Sequence, residues 1–307
     1  MPRTLGAGLP LMLIRGDTQL TGLFGYPISH TASPAMHNAA FEALGLPWVY
    51  FPFEVQPGRL GEAVRGTVAL GFRGFNVTIP HKQAVVEFLD EVSDEARVIG
   101  AVNTVRIADD STCHGFNTDG RGFVRSLRAD ADFEAAGKVF FVMGTGGAGR
   151  AVATQLAIEG AARVIVCDTD APRADALAQS IAANVAPERV EVIPSEQAPI
   201  ADALSRADAF VDATPLGMHE GEPTSIPTDQ LRPDMLVVDL VYTPPETPLL
   251  TQAEARGCRT LNGLGMLLFQ GAEAFELWTG RDAPVGVMRR ALHEAVYGEK
   301  ATNMETA

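Results

Sequence analysis

Short apolar runs alternate with amphipathic stretches along almost the whole chain. LTGLFG (Leu20–Gly25) reads as a strand. Ser33-Pro34 then opens a helix over AMHNAAFEALG, with Ser33 at the N-cap, Pro34 at N1 and Gly45 near the C-cap. WVYFPFEV is a second strand, LGEAVRGTVALG a helix, and GFNVTI a strand that stops at Pro80. The pattern predicts a helix over KQAVVEFLDEV and a strand over AVNTVRI, followed by a hairpin turn at Asp109-Asp110. CHGFNTDGRGFVRSLR crosses into another helix.

After Gly137 the rhythm becomes stricter: strand KVFFVMG, helix AVATQLAIEG, strand RVIVCD, helix RADALAQSIAANV. Strands VEVIP, DAFVDAT and MLVVDLV complete that unit. NGLGMLLFQGAEAFELWTG reads as a long helix closed by Gly280, with Phe275 and Trp278 as core or helix-contact residues, and PVGVMRRALHEAVYG as the last helix. Alternating strand and helix signals predict an α/β fold with a largely parallel sheet. A length of 307 residues suits two domains. The first residues, MPRTLGAGLPLMLIRGDTQL, read as a loose leader, and the final KATNMETA as a frayed end.

Charge narrows the partners. A net charge of −14 repels phosphate backbones and anionic membranes, so neither a nucleic acid nor a membrane is expected. Cys113, Cys167 and Cys258 are far apart and form no C-x-x-C pair, which suits a reducing, cytoplasmic location without disulfides. The six histidines show no metal-ligand spacing, and no metal is expected.

The glycine-rich turn is specific because of where it falls. Gly144, Thr145, Gly146, Gly147, Ala148 and Gly149 form a complete G-x-G-x-x-G between an apolar strand and an amphipathic helix. Its glycines permit a tight turn, close approach of a pyrophosphate and close helix–strand packing. The helix N-terminus adds partial positive charge for that pyrophosphate. Asp168 lies 24 positions after Gly144 (168 − 144), near the roughly 20 expected of an acidic ribose ligand. A carboxylate there accepts the ribose hydroxyls of NAD and repels the 2′-phosphate of NADP.

The first half carries GYPISHTASPAMH, GFNVTIPHK, GAVNT and GFNTDG, which are rich in hydroxyl and amide donors. A polyhydroxylated carboxylate would suit such a lining. From the residues alone, Lys82 reads as a surface lysine and Asp119 as a helix cap. The motifs G-x-P-I-x-H-x-x-S-P, N-V-T-x-P-x-K, G-A-V-N-T, N-T-D-G, the glycine-rich turn and G-L-G-M-L-x-x-Q stand in this order from about Leu20 to about Arg290. Together they resemble the shikimate dehydrogenase family, including its quinate/shikimate dehydrogenase branch.

The resemblance implies an N-terminal α/β substrate domain (1–118 and 264–307, with the C-terminal helices returning to it) and a Rossmann-like cofactor domain (119–263). It makes Lys82 and Asp119 catalytic. It places Thr31 and Ser33 on the substrate carboxylate, and Asn76, Thr78, Asn103 and Asp119 on the ring hydroxyls, with Thr118 flanking the acid. Tyr242 and Gln270 close on the substrate. The turn residues Gly144, Thr145, Gly146, Gly147 and Ala148 bind the cofactor, joined by Asp168, Thr169, Arg173, Leu240 and Gly263. The implied reaction is reversible hydride transfer between the nicotinamide and C3 of 3-dehydroshikimate or shikimate, by a monomer or a homodimer.

Three positions depart from the family pattern. Thr31 replaces the first serine of an S-x-S pair, and Asp212 stands where Asn is more usual. Asp168-Thr169-Asp170 replaces the N-R-T of NADP-using members, while a second family arginine survives as Arg173. NAD is therefore favoured and NADP possible. The alternatives are an NAD-dependent quinate/shikimate dehydrogenase and a non-catalytic sensor, and intact Lys82 and Asp119 weigh against the sensor.

Overall fold

The computed structural model describes residues 14–219 and 221–298. It contains two six-stranded sheets. The first is built from β1 (Gln19–Gly25), β2 (Trp48–Glu54), β3 (Phe72–Val77), β4 (Glu91–Val92), β5 (Thr104–Ile107) and β6 (Cys113–Phe116), in the order β2-β1-β3-β5-β6-β4. β1 is parallel to β2 and β3, whereas β5 runs antiparallel to β3 and β6.

The second sheet contains β7 (Val139–Met143), β8 (Arg163–Cys167), β9 (Val190–Val192), β10 (Ala209–Asp212), β11 (Leu236–Asp239) and β12 (Arg259–Asn262). Every pairing in it is parallel, in the order β12-β11-β10-β7-β8-β9. Read from β9, this is the doubly wound dinucleotide-binding order, whose strand order reverses between β7 and β10. VFFVM, RVIVC, AFVD and LVVD are buried almost throughout, because helices cover both faces of a parallel sheet. The two faces hold separate cores, one around Phe140, Val142 and Leu156, the other around Phe141, Phe210 and Leu249.

Helix α1 (Ser33–Ala43), α2 (Leu60–Ala69) and α3 (Asp94–Ile99) accompany the first sheet. α4 (Asp119–Ala131) then leads into the second unit, where α5 (Gly147–Ile158), α6 (Ala171–Asn184), α7 (Gln197–Arg206) and α8 (Pro248–Ala255) follow. α9 (Leu264–Thr279) returns to the first unit and α10 (Val285–Tyr297) packs on α1. α9 seals the first sheet: Trp278 is buried and its indole N–H donates to the carbonyl of Val105 at 2.9 Å. α4 packs on both α9 and α5, which joins the two units. Ser180 Oγ on α6 donates to the Val98 carbonyl at 2.8 Å, and Arg150 Nε on α5 to the Ile99 carbonyl, so the last turn of α3 is capped by the second unit.

Some expectations needed correcting. Ser33 is not the N-cap of α1. Ala32 occupies that position in an α conformation without a side-chain cap, and the Ser33 N–H donates to Thr31 Oγ1 at 3.2 Å. Residues 82–92 do not form a helix. They form a 3-10 turn (Ala84–Phe88) and β4, because β4 pairs with β6 and Asp90 accepts the Cys113 N–H at 2.7 Å. The expected strand over AVNTVRI begins only at Thr104, since the Val102 N–H turns to the Lys82 carbonyl at 2.8 Å. α3, α7, α8 and β12 were not anticipated. Pro199 interrupts the apolar period of α7, but Thr247-Pro248 was a readable start for α8, with Thr247 Oγ1 accepting the Leu250 N–H at 3.3 Å. The hairpin turn after β5 and the left-handed cap at Gly280 formed as expected. The leader through residue 13 and the end from residue 299 lie outside the described residues. Among the described residues, no helix is long and apolar enough to cross a membrane.

Candidate active site

A cavity of about 360 Å³ opens between the two units. Thr31 and Ser33 reach it from the start of α1, and Asn76 and Thr78 from the end of β3. Lys82 reaches it from the loop after β3, and Asp119 from the first turn of α4. Ala148, Leu240, Tyr242 and Gly263 face it from the second unit, with Gln270 on α9. Residues scattered over 240 positions therefore meet because both sheets direct strand ends at one cleft.

Lys82 Nζ donates to Asp119 Oδ2 at 2.6 Å. The other oxygen, Oδ1, accepts from Asn103 Nδ2 at 2.9 Å. Asn103 is itself fixed: its Oδ1 accepts the Thr118 N–H at 2.7 Å and its Nδ2 reaches Thr118 Oγ1 at 2.9 Å. Thr118 thus lies behind Asn103 rather than on the cavity wall. Gln270 Oε1 approaches Asn103 Nδ2 at 3.4 Å, while Gln270 Nε2 is held by the Leu267 carbonyl at 2.8 Å. Asn76 is more committed still. Its Oδ1 accepts Tyr50 Oη at 2.8 Å, and its Nδ2 donates to the Asn103 carbonyl at 3.1 Å and Thr104 Oγ1 at 2.9 Å. Both amide hydrogens of Asn76, like those of Asn103, are used inside the protein, so a substrate hydroxyl would have to share or displace one of these bonds. His30 and Met266 also line the cavity. The sequence reading gave neither a role, although both stand inside the motifs that carried the resemblance.

The second unit fits a dinucleotide. Gly144 adopts φ +89, where a Cβ would also meet Ala213 and Thr214 backbone at about 3 Å across the β7–β10 reversal. A Cβ on Gly149 would fall 1.9 Å from the Gly144 carbonyl oxygen, so the helix can approach the strand only with glycine there. Added to Gly146 or Gly147 it would meet nothing within 4 Å, leaving an open cradle at the N-terminus of α5.

Asp168 stands at the end of β8 beside that cradle, buried and fully bonded. Oδ2 accepts the Thr145 N–H at 2.7 Å and Thr145 Oγ1 at 2.8 Å. Oδ1 accepts the Asp170 N–H at 2.9 Å and Arg173 Nη2 at 3.0 Å. Burial alone would push this carboxyl up, but the bonds from Asp170, Thr145 and Arg173 outweigh it and hold it at about 2. Thr169 and Arg173 are exposed beside it. One level deeper, Asp212 and Asp239 are register partners at the ends of β10 and β11. Burial pushes both carboxyls up, Asp239 to about 6 with the Asp212 charge adding to the effect. Asp239 Oδ1 holds the Val241 N–H at 2.9 Å and Oδ2 holds Thr247 Oγ1 at 2.6 Å, which fixes the loop carrying Tyr242.

Known proteins share this fold and much of this sequence. Residues 23–105 match the family described as shikimate dehydrogenase substrate binding domain, and residues 263–293 the shikimate 5'-dehydrogenase C-terminal domain. Residues 138–242 match a family described as NADP oxidoreductase coenzyme F420-dependent. A shikimate dehydrogenase (NADP(+)) from Methanopyrus kandleri is 48% identical over 92% of this chain and 97% of its own. A Listeria monocytogenes shikimate 5-dehydrogenase, solved with shikimate and NAD, is 38% identical with a TM-score of 0.87, covering 91% of this chain and 98% of that one. A Corynebacterium glutamicum quinate dehydrogenase, solved with NAD, is 38% identical with a TM-score of 0.83, covering 89% and 98%. On fold, cleft geometry and sequence identity together, the chain belongs to the shikimate dehydrogenase family.

Proposed function

We propose that this cleft reduces 3-dehydroshikimate reversibly to shikimate with a nicotinamide dinucleotide. The single observation that carries the reading is the Lys82–Asp119 pair, 2.6 Å apart and braced by Asn103 in a cavity lined with hydroxyls and amides. A bound nicotinamide supplies or accepts the hydride at the ring carbon. Negative charge then develops on the substrate oxygen, and a donor already in place lowers that barrier. Lys82 Nζ delivers the proton to that oxygen, while Asp119 keeps the ammonium in line. In the reverse direction the same nitrogen takes the proton back. Thr31 and Ser33 at the start of α1 hold the substrate carboxylate, and Thr78, Asn103 and Gln270 its hydroxyls. Tyr242 closes the cavity from the second unit. The working limits of the substrate unit are 1–118 and 264–307, with 119–263 as the cofactor unit.

For the cofactor we propose NAD before NADP, against the name of the Methanopyrus relative. Asp168 remains ionised well below neutral pH, and with Asp170 it sets two carboxylates against Arg173 where a 2′-phosphate would lie. All four acceptor positions of Asp168 are filled, so the exposed Arg173 must swing away for a ribose hydroxyl to bond there. The same acidic pair favours a second reading, NAD-dependent oxidation of quinate. Steady-state kcat/KM for shikimate and quinate with NAD and NADP tests both readings. Turnover of neither substrate would overturn the enzyme reading, and a clear NADP preference the cofactor reading.

A further inference from the structure

The loop that brings Tyr242 into the cavity is anchored at both ends in the second sheet. The Leu240 N–H donates to the Asp212 carbonyl at 2.9 Å, and Asp239 holds Val241 and Thr247. The Tyr242 carbonyl bonds in a different direction. It accepts Tyr297 Oη at 2.7 Å, from the last turn of α10. α10 packs on α1, the helix whose start carries Thr31 and Ser33. The contact therefore joins a loop of the cofactor unit to an element of the substrate unit, next to the substrate cavity.

We infer that Tyr297 is a positioning residue for substrate binding: its hydroxyl ties the backbone of Tyr242 to the C-terminal helix and so fixes where the Tyr242 side chain stands over the substrate.

Two further observations support this. Asn262 Nδ2 approaches Tyr297 Oη at 3.3 Å and also donates to the Pro245 carbonyl at 3.1 Å, while Asn262 Oδ1 accepts the Leu264 N–H at 3.0 Å as α9 begins. One hydroxyl thus meets the Tyr242 loop and the turn that presents Gly263 to the cavity. The His293 ring packs edge-on against Tyr297 at 4.9 Å, which holds the phenol in place. Burial pushes this phenol up to about 12, so it stays a hydrogen-bond donor at any working pH.

The inference rests on the reading that Tyr242 contacts substrate, so the experiment includes Tyr242. Shikimate and cofactor KM, kcat and Tm are measured for Tyr297→Phe, Tyr242→Ala and the double variant. Phenylalanine keeps the ring packing and removes only the hydroxyl. Tyr297→Phe should raise the shikimate KM about threefold to tenfold, the scale of one lost hydrogen bond, with kcat and the cofactor KM within roughly twofold and Tm nearly unchanged. In the double variant the shikimate KM should be no higher than in Tyr242→Ala alone, because the tie then has nothing to position. A raised shikimate KM in Tyr242→Ala with an unchanged one in Tyr297→Phe would overturn the tie alone. Additive effects, or equal rises in both KM values with a falling Tm, would reduce Tyr297 to a structural role and overturn it too. An unchanged shikimate KM in Tyr242→Ala would overturn the reading of Tyr242 and the tie with it.

Discussion

Lys82 Nζ stands 2.6 Å from Asp119 Oδ2, and the two residues approach from different elements. The lysine follows β3 and the aspartate opens α4, 37 positions later. Removing the ammonium takes away the proton donor but little of the substrate's carboxylate and hydroxyl contacts. Lys82→Ala should therefore lose turnover by about 10²–10⁴-fold while shikimate binding, followed by calorimetry, changes only several-fold. Near-wild-type kcat would remove Lys82 from the mechanism.

Asp168 governs the cofactor. Asp168→Asn removes one carboxylate charge and the 3.0 Å ion pair to Arg173, leaving the guanidinium only the 3.8 Å contact with Asp170 and making it more available to a phosphate. The ratio of kcat/KM with NADP to that with NAD should rise at least about tenfold, or roughly 1.4 kcal/mol. An unchanged ratio would mean that cofactor choice is made elsewhere.

Gly146 and Gly149 should separate binding from folding. A Cβ on Gly149 would strike the Gly144 carbonyl, so Gly149→Ala should lower unfolding stability by about 1–3 kcal/mol. A Cβ on Gly146 meets no protein atom within 4 Å, and its φ of −65 suits alanine. Gly146→Ala should keep its Tm but raise the cofactor KM. A normal cofactor KM would show that the open cradle does not hold the pyrophosphate.

Asp239 links stability to pH. Burial raises its folded pKa from 3.8 to about 6, so between those values the folded state holds a proton that the unfolded state has released. Stability from this group therefore falls as pH rises from 3.8 through about 6, by on the order of 3 kcal/mol, and then levels off. Urea unfolding at steps from pH 4 to pH 7 should show this fall relative to Asp239→Asn, which lacks the titration. Parallel profiles would exclude it. Asp212→Asn removes the neighbouring charge and should stabilise the protein at neutral pH, since the asparagine oxygen can still accept the Thr214 N–H.

The first half of the parallel unit was legible in the sequence, because its strands are short apolar runs and the turn between them carries its own chemistry, whereas α7, α8 and β12 were not. β7, the glycine turn, α5 and β8 are all readable within thirty residues, and local dihedral preference and periodicity act over that range. The motifs also named most of the residues that line the cavity. Tertiary structure decided what depends on partners far away in the chain. Residues 82–92 became a turn and a strand because β6 offered an edge and Asp90 a bond to Cys113. Thr31 Oγ1 accepts the Ser33 N–H as α1 begins, and both residues line the cavity. Asp168 was readable as an acid at a strand end, but its saturation by Thr145, Asp170 and Arg173 was not. Nothing around Tyr297 in the sequence points to Tyr242, 55 positions earlier. A hydrogen bond needs an approach of about 3 Å and near-linear alignment, and between distant positions only the packed fold supplies both.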